Sequence, residues 1–166
     1  MKIIDALLAE LEQEAATTQR VLERIPQAHL SWKPHPKSMS LGQLALHVAT
    51  VPGNVAEIAA RDSSLPSSFV QAEAATTAEL VPALTESVAK ARRTLGGFDD
   101  EKMGAMWRLQ HGGKDVLAMP RVAFVRAIML NHWYHHRGQL LVYLRLLNLP
   151  VPSVYGPTAD ENPFAA

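Results

Sequence analysis

Residues 121–147 read RVAFVRAIMLNHWYHHRGQLLVYLRLL, and the fold turns on whether this stretch forms one helix. Val125, Ile128 and Met129, then Leu140 and Tyr143, recur every three or four positions, as on one face of an amphipathic helix. Pro120 suits a first helical turn, where its missing N–H is no loss, and Asn148-Leu149-Pro150 closes the segment. The spacing therefore predicts a long helix from about Arg121 to Leu147. Three of the chain's seven histidines fall within five of its residues, at His132, His135 and His136.

His132 and His136 are four apart and lie one above the other on one helix face. They continue the apolar stripe towards the interior, where an imidazole is costly unless its nitrogens find partners. A divalent cation is one such partner, and zinc is commonly held by histidines. A pair of hydrogen-bonded core histidines without any ligand is the competing account. His135 points about 100° away from its neighbour and can still pair with His132 at a spacing of three. The stripe favours His136.

Three more helices surround this one. Ile3, Ile4, Leu7, Leu8 and Leu11 predict an amphipathic helix from Lys2 to Arg24, ended by Pro26. A turn-rich connection follows through Pro34, His35, Pro36 and Ser38, with Trp32 as its large apolar anchor. Ser40 with Gln43 makes a capping box that opens a second helix towards Arg61, in which Pro52 and Gly53 predict a kink or an early end. His47 sits on its core side, three residues after Leu44 and four before Val51. The next loop, Asp62 to Ser68, contains Pro66.

Thr76 with Glu79 repeats the capping signal for a third helix, which contains Pro82 and stops at Gly96-Gly97. Between 98 and 119, MWRLQ and DVLAM flank HGGK and predict a small hairpin. The tail from Val151 to Ala166 has three prolines and no periodicity. Neither an internal repeat nor a domain boundary is visible. The expectation is a single all-α domain over 1–166, a four-helix bundle with a hairpin before the last helix.

Composition narrows the function. At 166 residues and 48% hydrophobic content the chain can bury one real core. Sixteen basic residues balance sixteen acidic ones, which gives no electrostatic argument for a nucleic-acid or anionic-membrane partner. No apolar run approaches the roughly 20 residues of a membrane span. The N-terminus MKIIDALLAELEQEA carries acids among its apolar residues, unlike a secretory signal, so a cytoplasmic protein is expected.

With no cysteine, disulfides, thiolate ligands and a cysteine nucleophile are excluded. Any metal would be held by His, Asp or Glu. His47 on a facing helix completes a three-histidine set with His132 and His136, and three ligands with an open position mark catalytic zinc-type sites. A zincin protease needs HExxH, but Trp133 follows His132. Nothing like GxSxG surrounds Ser38 or Ser40. His29, His35 and His111 fall in expected loops and read as solvated. Arg137 would neighbour the site, either as a contact for an anionic substrate or as a solvated or structurally paired cation.

Three stretches together carry a family likeness: LSWKPHPKSMSLGQLALHVA, NHWYHHRGQLLVYLR and VPSVYGPTADE. In order and spacing the chain resembles the DinB/YfiT-like superfamily, although Met39 stands where many relatives carry a tryptophan. The resemblance implies a four-helix bundle whose divalent metal is held by His47, His132 and His136, with zinc or nickel the first candidates. It also implies a small-molecule substrate and a thiol transferase acting with a low-molecular-weight thiol, against the alternatives of a hydrolase or a non-catalytic, stress-associated metal-binding bundle. Pairing into a homodimer is a further expectation from the resemblance.

Overall fold

The computed structural model describes residues 1–64 and 71–165. Helix α1 spans Ile3–Leu22 and α2 spans Leu41–Ala60, followed by a two-residue strand β1 at Ser63–Ser64. Helix α3 covers Leu80–Leu95, and a short α4 covers Asp100–Gly104. Strands β2 (Met106–His111) and β3 (Lys114–Pro120) lead into α5 (Arg121–Phe124), a π-helical stretch Val125–Asn131 and α6 (His132–Leu146). The molecule is mainly helical, as expected, with a small sheet at one end.

Both capping boxes form. The Ser40 hydroxyl accepts from the Gln43 N–H at 3.1 Å, and Gln43 Oε1 accepts from the Ser40 N–H at 2.9 Å. Glu79 reaches back to the Thr76 N–H at 2.8 Å, opening a single 3₁₀ turn, Thr77–Glu79, before α3. Pro82 therefore falls in the first turn of α3, where no intrahelical acceptor waits for its N–H.

The hairpin closes through Gly112 and Gly113 at φ 57° and 76°, the two positive angles that a tight two-residue turn demands. β1 was not expected; it pairs in parallel with β2, Ser63 opposite Arg108. Residues 65–68 of the expected 62–68 loop, with Pro66, lie outside the described residues.

Two further differences concern the long helices. Pro52 does not end α2, which continues to Ala60. Its missing N–H leaves the Val48 carbonyl, four residues back, without a helical partner. The buried Trp133 indole N–H fills that vacancy from α6 at 2.7 Å. Next to it the Gly53 N–H donates to Ser87 Oγ of α3 at 2.8 Å, and Ser87 donates on to the Thr50 carbonyl at 3.1 Å. A Cβ on Gly53 would lie 2.9 Å from the Ser87 carbonyl oxygen, so glycine permits this close approach of α2 and α3.

The expected single α-helix over 121–147 contains the π stretch instead. Phe124 and Met129, and likewise Val125 and Leu130, are buried pairs five apart. In an α-helix residues five apart point about 140° away from each other. Backbone bonds that close over five residues bring both pairs onto the core side.

The far end of α2 is tied down as well. Trp107 donates to the Ile58 carbonyl at 3.2 Å and stacks on Phe124. Arg121, 1% exposed, donates to the carbonyls of Ala59, Lys102 and Arg61 and to Asp62. A cation here satisfies the last carbonyls of α2 and matches the negative end of its dipole.

Replacing Trp133 by Phe keeps a buried ring but strips the Val48 carbonyl of its donor, and should lower the unfolding free energy by about 1–3 kcal/mol. Pro52→Ala restores a helical N–H to the same carbonyl. In a double-mutant cycle by denaturant titration, the Trp133→Phe loss should shrink in the Pro52→Ala background. An equal loss in both backgrounds contradicts this account.

Candidate metal centre

His47 sits in the second turn of α2, one residue before Val48, and His132 opens α6, one residue before Trp133. The Trp133–Val48 bond thus fixes the two helices beside the two histidines. His136 follows one turn later on α6. One ring nitrogen from each of His47, His132 and His136 comes to within 4.8 Å of the others. No Asp or Glu joins them among the described residues. His135 stays on the surface outside the cluster.

The three histidines are half-buried and do not point into the core, where the apolar stripe was expected to carry them. The core face of α6 is Trp133, Arg137, Leu140 and Leu144. His132 and His136 each precede a core anchor by one residue, which turns them about 100° towards a cleft.

Hydrogen bonds assign the tautomers. Gln139 Nε2 lies 3.0 Å from His135 Nε2, so its amide oxygen faces His136 Nδ1, at 2.8 Å. That oxygen only accepts, which places the proton on Nδ1 of His136 and the lone pair on Nε2. In the same way Gln71 Oε1 meets His47 Nδ1 at 2.9 Å.

His136 Nε2 then faces His132 Nε2 at 2.8 Å. If His132 carries its proton on Nε2, its Nδ1 is a buried acceptor with no donor, since that atom has no hydrogen-bond partner. If the proton is on Nδ1, towards the Ile128 carbonyl that favours a protonated ring without reaching bonding geometry, two lone pairs oppose each other. A cation shared by the two Nε2 atoms removes both conflicts. The three imidazoles fit a divalent metal.

Electrostatics agree. Burial pulls the pKa of all three histidines below the ordinary 6.5, that of His136 to about 4, and the neighbouring imidazoles add to the effect. All three are neutral at pH 7, the form in which imidazole binds metal.

The cleft encloses about 730 Å³, within the usual range for small-molecule sites. One wall is Val51, Val55, Ile58 and Met39; Gln43, Asn54, Gln71, Ser38 and Lys37 supply polar groups. From the segment between α2 and α3 Gln71 reaches the cleft, and no residue of 98–119 lines it. The 37–39 turn, which holds Met39 in place of the tryptophan of many relatives, forms part of the mouth.

Arg137 takes one of the alternatives that the sequence left open. It is 2% exposed and faces away from the cleft, paired with Glu14 of α1 and donating to Thr18 Oγ1, the Glu14 carbonyl and the Tyr155 hydroxyl. It is a structurally paired cation and does not line the cleft. Gln71 and Gln139 escaped notice in the sequence, although Gln139, three residues beyond His136 on the same face, carried a usable signal.

Depressed histidine pKa values make the metal-free fold acid-sensitive. The unfolded chain takes up these protons near pH 6.5, the folded one only further down. Stability from this source is therefore complete above 6.5 and is lost as pH falls towards about 4 for His136. Melting of chelator-treated protein between pH 7 and 4 should show this loss, and His136→Gln should flatten the slope. A slope unchanged by that substitution would count against the assignment.

A family model described as DinB family matches residues 1–163. The Bacillus subtilis protein YrdA is 26% identical over 167 residues, covering 95% of this chain and 91% of its own. A solved DinB-like protein from Bacillus cereus shares 22% identity at a TM-score of 0.69, over 92% of this chain and 97% of that one. Another from Bacillus subtilis shares 19% at a TM-score of 0.66, over 90% and 97%. The two solved structures establish the likeness of fold, and the full-length match to the family model establishes more: the chain belongs to the DinB family.

Proposed function

We propose that His47, His132 and His136 hold a divalent metal with open positions facing the cleft, and that the protein transfers the thiol of a low-molecular-weight cosubstrate to a small electrophile. The observation that supports this most is the opposition of the His132 and His136 Nε2 atoms in a cluster with no carboxylate. Closed structural zinc sites use four protein ligands; three with an exposed face leave room for a ligand. A bound divalent cation would lower the pKa of a coordinated thiol.

The chain's own residues supply the surroundings. Three neutral imidazoles leave the cation's charge uncompensated, so an anionic ligand such as a thiolate is favoured. The Val51–Val55–Ile58 wall takes the apolar body of an electrophile and restricts water. Lys37 at the mouth offers a charge to a carboxylate. With no cysteine in the chain, the sulfur arrives with the cosubstrate. In the transfer a sulfur–carbon bond forms as the bond to the leaving group breaks; the thiol proton passes to solvent and the leaving group departs with the electron pair.

Metal content of purified protein tests the first half. Elemental analysis should find about one divalent ion per chain in the wild type and in His135→Ala, and little in His132→Ala. Near-stoichiometric metal in His132→Ala sinks the ligand assignment.

The second half is tested with metal-loaded protein, a panel of thiols and a generic electrophile carrying a leaving group. Conjugation should exceed that of His47→Ala, stop with a chelator and return with added metal. Equal rates for wild type and His47→Ala would leave the ion without a catalytic task.

A further inference from the structure

The histidine cluster has a second layer. Each of two imidazoles meets a side-chain amide oxygen through Nδ1: His47 meets Gln71 at 2.9 Å and His136 meets Gln139 at 2.8 Å. The amides come from unrelated places. Gln139 lies on α6, three residues beyond its histidine, and its own NH₂ is anchored by His135 Nε2 at 3.0 Å. Gln71 lies on the segment that docks on the first turn of α2, where Gln43 Nε2 donates to its backbone carbonyl at 3.2 Å and Ser40 donates to Glu73.

We propose that Gln71 and Gln139 are positioning residues that lock His47 and His136 in the tautomer with Nδ1–H and the lone pair on Nε2. An isolated neutral imidazole favours neither nitrogen strongly. An oxygen at Nδ1 that can accept but not donate there makes the choice, and also fixes the ring's rotation. Both effects precede metal binding and lower its cost, because the donor atom already faces the cluster. Oxygen partners behind metal-bound histidines act in this way generally, and losing one weakens binding by about 10–100-fold. His135 thereby gains an indirect part, turning the Gln139 amide the right way round.

The inference rests on the metal reading for its consequence, but its first step is testable without any ion. Histidine labelled with ¹⁵N in metal-free protein at neutral pH reports ring tautomers through long-range proton–nitrogen correlations. His47 and His136 should both appear as Nδ1–H forms. Gln139→Leu should shift His136 towards a mixture, and Gln71→Leu should do the same to His47, with melting temperatures near that of the wild type because neither side chain belongs to the buried core.

Zinc affinity, measured by competition with a chromophoric chelator, should fall by about 10–100-fold in each leucine variant. In Gln139→Glu and Gln71→Glu, which keep an acceptor, it should stay at the wild-type level or rise. Unchanged tautomers in the leucine variants, or glutamate variants as weak as the leucine ones, overturn the proposal. Wild-type protein that binds no zinc would sink the metal reading, while the tautomers would still judge the amides.

Discussion

The hydrogen bond from the Trp133 indole to the Val48 carbonyl, 2.7 Å long and buried, is the constraint on which the arrangement depends. It exists because Pro52 withholds the N–H that would otherwise occupy that carbonyl. Such a bond adds little net stability, about 0.5–1.5 kcal/mol, but leaving the buried carbonyl unpaired costs more than making the bond gains. The pairing is therefore a condition on position. It sets α6 against α2 at one height and one rotation, and His132 and His47 are the residues immediately before its two ends. A proline that looks like damage to a helix thus creates the acceptor that places the site.

One turn further along the same face, α6 is held by charge. Arg137, one turn beyond Trp133, is paired with Glu14 of α1 and with Tyr155 of the tail, which is itself tied back through Arg145–Asp160 and Arg20–Glu161. A buried ion pair of this kind is weak evidence for stability, since desolvation offsets much of its attraction. Its directional effect is clearer. With Trp133 and Arg137 both committed to the interior, the residues one position earlier cannot also be there. His132 and His136 are turned to the cleft by what their neighbours do.

How much of this could be read in advance follows from the distance over which each decision is made. Ser40–Gln43, Thr76–Glu79 and the Gly112–Gly113 turn are settled within four residues, and each formed as its local chemistry dictates. His47, His132 and His136 were legible because helical periodicity and facing helices suffice to gather them. Whether α2 ends at Pro52 was open because the donor that pairs with the orphaned carbonyl lies 85 residues further on. The burial of Arg137 was undecided because Glu14 and Thr18, which hold it in the interior, are more than a hundred residues away. The π stretch hid in plain sight: VAFVRAIML satisfies an α pattern by its three- and four-residue spacings, and only the buried pairs five apart reveal the wider turn.

That geometry bears on whether a metal here would serve as a mere staple between helices. Helix α2 is already joined to the stretch from β2 to α6 at three points that involve no imidazole: Trp133 to Val48, Arg121 to Ala59, and Trp107, stacked on Phe124, to Ile58. Gly53 and Ser87 join it to α3 as closely as two helices allow. An ion holding His47, His132 and His136 would add a fourth tie where three suffice. It would do so at the rim of an open cleft, with neutral ligands that leave its charge uncompensated. A staple is better served by a closed shell with acidic or additional ligands, placed where the packing is otherwise weak. The arrangement here fits an ion whose remaining coordination is kept for something that enters the cleft.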